Sequence, residues 1–126
     1  VNGDPWPSEI AIYTPGADPA QPWDKQIVYD GFVSVPGPGA GAPGIFSAGD
    51  IDSDGDIDLL VSGDGDPRVV WMEQTAPGEF AVHTLEEELT QAGITIIEDL
   101  DGDGQVELMV SGYDDNVVFY YDPEDS

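Results

Sequence analysis

The sequence has no cysteine, and only two of its 126 residues, Lys25 and Arg68, are basic. Without cysteine there are no disulfides and no thiolate metal sites, and the redox compartment stays open. Without clustered Lys and Arg there is nothing to neutralise phosphates, so nucleic acid and anionic membrane surfaces are poor partners. A single histidine, His83, leaves no donor set for zinc. No apolar run approaches the roughly 18 residues of a membrane-spanning helix, so no membrane insertion is expected. The opening residues, VNGDPWPSEI, carry neither the basic start nor the apolar middle of a secretory signal; in an exported protein that signal would already have been removed.

Acid is abundant. Twenty-seven Asp and Glu give a formal net charge of −25, which makes cations the natural partners. Such a balance favours solubility in strong salt and adds self-repulsion in dilute solution, so a saline or calcium-rich exterior suits the chain better than cytosol. Three Trp, five Tyr and four Phe in a chain 40% hydrophobic argue for packed structure rather than disorder, with a modest core.

Internal repetition supplies the organisation. GDIDSDGDIDLLVSG at 49–63 is answered by EDLDGDGQVELMVSG at 98–112, so that Asp50, Asp52, Asp54 and Gly55 recur 49 residues later as Asp99, Asp101, Asp103 and Gly104. Each copy continues through a turn into a β-branched and aromatic run, RVVWMEQ in the first and NVVFYYDP in the second. One unit reads as four strands: IFSAGDI, DLLVSG after the acidic loop, RVVWMEQ and FAVHTL. KQIVYDG at 25–31 is a further strand. Val1-Asn-Gly-Asp matches Val61-Ser-Gly-Asp64, so the chain is expected to begin inside a strand and to be cut from a longer array. TLEEELTQAG at 84–93 is the one helical candidate, a single short turn. VPGPGAGAPG at 35–44 reads as a connection between units.

Within the first loop the carboxylates of Asp50, Asp52, Asp54 and Asp58 fall at positions one, three, five and nine, with glycine at six where a chain wrapping an ion must turn sharply. Calcium takes six to eight hard oxygens at about 2.3–2.6 Å from carboxylates, carbonyls and water. Position seven, Asp56, would supply its carbonyl whatever its side chain. In the second loop that position is the uncharged Gln105, while position nine stays acidic as Glu107. Magnesium, which prefers few protein ligands and retained waters, fits this count less well.

The pattern Asp-x-Asp-x-Asp-Gly-x-x-Asp, followed by a hydrophobic strand, a turn and an aromatic strand such as VVWMEQ, resembles the FG-GAP or VCBS repeat, the blade of calcium-bearing β-propellers. The resemblance implies an all-β fold of four-stranded antiparallel blades, about two and a half of them in an incomplete propeller. The last two strands of a first blade would occupy 1–34, the connection 35–44, a complete second blade 45–93 and a partial third blade 94–126. It implies two calcium sites. Asp50, Asp52, Asp54 and Asp58 with the Asp56 carbonyl would hold one ion, and Asp99, Asp101, Asp103 and Glu107 with the Gln105 carbonyl the other. Glu107 departs from the family's usual Asp.

Such propellers host both enzymes and passive scaffolds. The reading favoured is a non-catalytic, calcium-stabilised extracellular module for adhesion to a glycan or a cell-surface protein, part of a longer propeller protein. One alternative is a structural subunit of a filament or surface layer, self-associating through open blade edges; another is the non-catalytic part of a secreted polysaccharide-active enzyme. His83, alternating with Ala81 and Leu85, is read as structural. Trp6, Trp23, Trp71, Tyr120 and Tyr121 are read as blade packing, with a sugar-stacking platform as the alternative. Asp64, Asp66, Asp114 and Asp115 are read as turn residues rather than an outer cation site.

Overall fold

The alternating apolar patterns become nine strands in a computed structural model that describes residues 6–34, 43–63, 66–86, 88–112 and 114–123. Strands β1 (Trp6–Thr14) and β2 (Asp24–Ser34) form a first, two-stranded sheet. The second sheet runs β3 (Pro43–Gly49), β4 (Asp58–Gly63), β5 (Asp66–Ala76) and β6 (Glu79–Glu86) in chain order. The third runs β7 (Ala92–Glu98), β8 (Glu107–Gly112) and β9 (Val117–Tyr121). All pairings are antiparallel. The protein is therefore all-β, built of small blade-like sheets. The postulated strand start at Val1 and the connection at 35–42 lie outside the described residues; β3 already begins at Pro43.

The helical candidate at 84–93 is not a helix. Strand β6 extends through Glu86 and β7 starts at Ala92. Between them the backbone N–H of Leu89 donates to the Pro67 carbonyl at 3.2 Å, and Thr90 donates from its N–H and its hydroxyl to Asp115. Partners on β5 and in the turn between β8 and β9 take the place of the helical i−4 carbonyls, and Leu89 is buried in the core.

Sheet two is covered on both faces, which is why β4 reads as a continuous apolar run. Residues paired across a sheet share a face, so Leu60, Ser47 and Trp71 point one way and Leu59, Ala48 and Met72 the other. The first face, with Val69, packs on Leu108, Val110, Ile97, Phe119 and Tyr121 of sheet three. The second, with Val61 and Val70, packs on Ile10, Val28, Tyr29 and Phe32 of sheet one. Each fully buried Leu, Val, Met or Phe contributes about 1.5–3 kcal/mol. Polar ties fix the stacking. Ser62 Oγ donates to the Gly93 carbonyl at 2.7 Å and Ser47 Oγ to the Thr95 carbonyl at 2.6 Å. Arg68 bridges the buried Asp66 to Tyr29 and Gly31 of β2.

Candidate metal centre

Both acidic loops sit between the first and second strands of their sheets, 50–57 linking β3 to β4 and 99–106 linking β7 to β8. Short Asp side chains fold each loop locally by accepting N–H groups two residues on. Asp54 N donates to Asp52 Oδ1 at 3.2 Å and Asp56 N to Asp54 Oδ1 at 2.8 Å. The second loop repeats this with Asp103 N on Asp101 Oδ1 at 3.1 Å and Gln105 N on Asp103 Oδ1 at 2.8 Å. Position six closes each circle, Gly55 N on Asp50 Oδ2 at 3.1 Å and Gly104 N on Asp99 Oδ2 at 3.0 Å. Those glycines have φ of +96° and +98°, the left-handed region where a Cβ is penalised. Position four is left-handed as well, Gly102 in one loop and Ser53, at φ +62°, in the other. This second turn was not read from the sequence, although Gly102 marks it.

The geometry gathers carboxylates. Oxygens from Asp99, Asp101, Asp103 and Glu107 all lie within 4.8 Å of one another, and so do oxygens from Asp50, Asp52 and Asp54. Opposite ligands of one calcium ion are about 4.6–5.2 Å apart, twice its bond length to oxygen. The extra methylene of Glu107 lets it reach its group. Asp58 is not brought to the Asp50 group. Its Oδ2 accepts from Ile51 N at 3.2 Å and Trp71 Nε1 at 3.1 Å, and its Oδ1 from Gln74 N at 2.8 Å. Asp56 and Gln105 contribute backbone N–H groups to the loops as described, and their carbonyls stand at position seven. The loops also touch each other, Ser53 Oγ donating to Gln105 Oε1 at 2.5 Å.

Electrostatics favour a cation. The Asp52 carboxyl is raised above its ordinary value, first by lost hydration and then by the charges of Asp54, Asp58 and Glu73, with the Asp54 N–H pulling the other way. Asp50 Oδ1 is buried with no hydrogen-bond partner, a costly state for a carboxylate oxygen unless an ion completes it. Hard oxygen donors and this orphaned atom suit a hard cation such as calcium.

Other residues singled out by sequence fall elsewhere. His83 lies 2.6 Å from Glu73 and against the Trp71 ring, its cross-strand partner, with its side chain partly exposed. Trp71, Tyr120 and Tyr121 line one cleft of about 330 Å³ with Leu85, Leu108, Asp122 and Pro123, whereas Trp23 donates to the Pro19 carbonyl in a separate loop. The Trp6 side chain and Asp64 lie outside the described residues. Asp66 is consumed by Arg68 and Asp115 by Thr90, while Asp114 is exposed.

Residues 50–110 match the family profile of the FG-GAP-like repeat. The chain thus carries an FG-GAP-like repeat that spans the first acidic loop, the rest of sheet two, β7, the second acidic loop and most of β8. No curated protein and no solved structure matches it.

Proposed function

We propose that the chain is a calcium-stabilised, non-catalytic extracellular module that binds glycan or protein as part of a larger FG-GAP assembly. The observation that carries this reading is the duplicated acidic cluster, three and four carboxylates drawn together at equivalent places in two successive sheets. Like charges about 4–5 Å apart repel by roughly 1 kcal/mol per pair in water and several times that near a protein surface. Two calcium ions turn this repulsion into coordination and bring the formal charge from −25 to −21. Millimolar calcium is an extracellular condition, and weak sites of this exposure match it.

The aromatic cleft gives the ligand its chemistry. Trp71, Tyr120 and Tyr121 line it together with Asp122, aromatic surface beside a carboxylate, the combination that takes a sugar ring. His83, paired with Glu73 and lying against the Trp71 ring, is read as structural, in keeping with a non-catalytic role.

A second reading, assembly with further blades, is favoured by the outer face of sheet three. Ile94, Ile96, Val118 and Tyr120 are 41–67% exposed there. They are the repeat equivalents of Ile45, Ser47, Val69 and Trp71, which in sheet two form the face that sheet three covers. Ser111, the equivalent of Ser62, accepts from its own sheet's Ile94 N instead of donating to a neighbouring blade. An apolar face of this kind takes the back of another blade.

Calorimetric titration with calcium and thermal melting in calcium and in chelator test the main reading. At a hundredfold excess over its Kd each ion stabilises the folded state by about 2.7 kcal/mol. Two ions then raise Tm by more than about 10 °C. An unchanged melting curve in excess chelator at moderate salt defeats the proposal.

A further inference from the structure

The cleft between sheets two and three holds a polar atom that its own walls do not satisfy. Trp71 of β5 and Leu85 of β6 stand on one side, Tyr121 at the end of β9 and Asp122 just after it on the other. The Tyr121 hydroxyl is buried and has no hydrogen-bond partner among the described residues. A phenol both donates and accepts, and leaving it unmatched costs stability. Phenylalanine would fill the same space without that cost, so the hydroxyl calls for a polar group from outside the chain. At about 330 Å³ the cleft has room for a small ligand, near the lower end of the roughly 300–1,000 Å³ that such sites occupy.

Charge narrows the ligand further. Asp122 lines the cleft, and the Tyr121 hydroxyl is raised above its ordinary value, first by burial and then by the charge of Glu86 at the end of β6. Neither acid belongs to the two acidic loops, so this charge persists when calcium is bound. No Lys or Arg lines the cleft. Lys25 pairs with Glu9 inside sheet one, and Arg68 is held by Asp66 and the Gly31 carbonyl. Aromatic surface and a carboxylate both attract a cation, whereas an anionic ligand meets repulsion that nothing in the cleft offsets.

We propose that the cleft selects a cationic amino sugar, a pyranose carrying a protonated amine, with its ring against the aromatic wall, its ammonium on Asp122 and a hydroxyl on Tyr121. This rests on the glycan reading above and adds the charge of the sugar to it. A neutral sugar gains the ring contact without the ion pair, and a uronate is turned away.

Calorimetric titration of the full chain in saturating calcium tests the assignment, at about pH 7, below the ordinary range of an amine. The probes are a β-1,4-linked glucosamine tetramer, its N-acetylated counterpart, a galacturonate tetramer, and spermidine as a cation with no sugar ring. The glucosamine tetramer should bind at least about tenfold more tightly than the N-acetylated one and than spermidine, and the galacturonate should not bind. Asp122→Asn should reduce the preference for the amine to within about threefold. Tyr121→Phe should weaken the glucosamine tetramer by about fivefold or more yet melt at or above the parent without sugar, since an unmatched buried hydroxyl has been removed. A residue with a packing role alone would not separate those two readouts. Equal affinity for the amine and N-acetyl tetramers overturns the amino-sugar assignment and leaves the glycan reading standing; no binding by either overturns both. Spermidine binding as tightly as the glucosamine tetramer, or an affinity that neither variant changes, marks general attraction to an acidic surface and overturns the assignment equally.

Discussion

Arg68 is the one arginine of the chain, and its replacement by methionine is expected to loosen the first sheet from the second. The guanidinium makes two bonds to Asp66, Nε to Oδ1 at 2.8 Å and Nη2 to Oδ2 at 2.6 Å. It also reaches the Gly31 carbonyl at 2.6 Å and the Tyr29 hydroxyl at 3.3 Å, and lies 5.5 Å from the Phe32 ring centroid. The Asp66 side chain is 2% exposed, and that of Arg68 27%. Removing one partner of a buried ion pair costs about 3–5 kcal/mol because the other charge loses its counter-ion in low dielectric. The partial exposure of Arg68 places the loss near the lower end, about 3 kcal/mol. Methionine keeps the apolar stem, so the loss reports charge and hydrogen bonds rather than a cavity. For a chain of this size that is a fall in Tm of roughly 10–15 °C. Urea unfolding of Arg68→Met, Asp66→Asn and the double variant, each in saturating calcium, measures it. The double variant should recover part of the loss. The ion pair of Lys25 with Glu9 is the internal control, since both side chains are about 40% exposed and Lys25→Met should cost less than about 1 kcal/mol. A cost below about 1 kcal/mol for Arg68→Met would refute the view that this pair locks the two sheets.

Within the acidic loops, Asp54→Ala and Asp103→Ala each remove a ligand at position five and should abolish calcium uptake at their own site. Asp56→Ala should weaken it only a few-fold, because that position offers its carbonyl; equal damage in calorimetry would show the coordination frame to be misassigned. The raised carboxyl of Asp52 carries a pH signature. A group that holds its proton more tightly when folded contributes stability below its ordinary value, about 3.9, and loses it as pH rises through the higher folded value. In chelator at neutral pH, Asp52→Asn should therefore melt above the parent, with the gap closing as the pH falls through the raised folded value and below the ordinary one. In calcium the order should reverse, since the ion needs the deprotonated acid, and a variant less stable than its parent in chelator would contradict the charge crowding. Ser62→Ala should cost about 1–2 kcal/mol, the loss of a buried cross-sheet bond to Gly93, and Ser111→Ala at the equivalent place less than about 0.5. Equal costs by urea unfolding would deny that Ser62 fixes the blade stacking.

The repeat, the strands and the acidic loops were legible in the chain because they depend on short-range chemistry. Alternating or continuous apolar runs have to be strands once turns bound them, and Asp at every second position around a glycine folds a loop through Asx turns within a few residues. The 49-residue offset then shows that the same local solution occurs twice. What the loops contact was decided only in the tertiary structure. Leu85 and Leu89 look helical in isolation, but burial against neighbouring sheets and backbone bonds to Pro67 and Asp115 draw that segment into strand and loop. Asp58 and Glu107 look interchangeable at position nine, yet Asp58 accepts from Trp71 and Gln74, 13 and 16 residues further along the chain. Trp71 and Gln74 meet Asp58 only because β5 folds back beside β4. Local spacing set which oxygens could hold an ion; the strand that returned alongside the loop decided what else they meet.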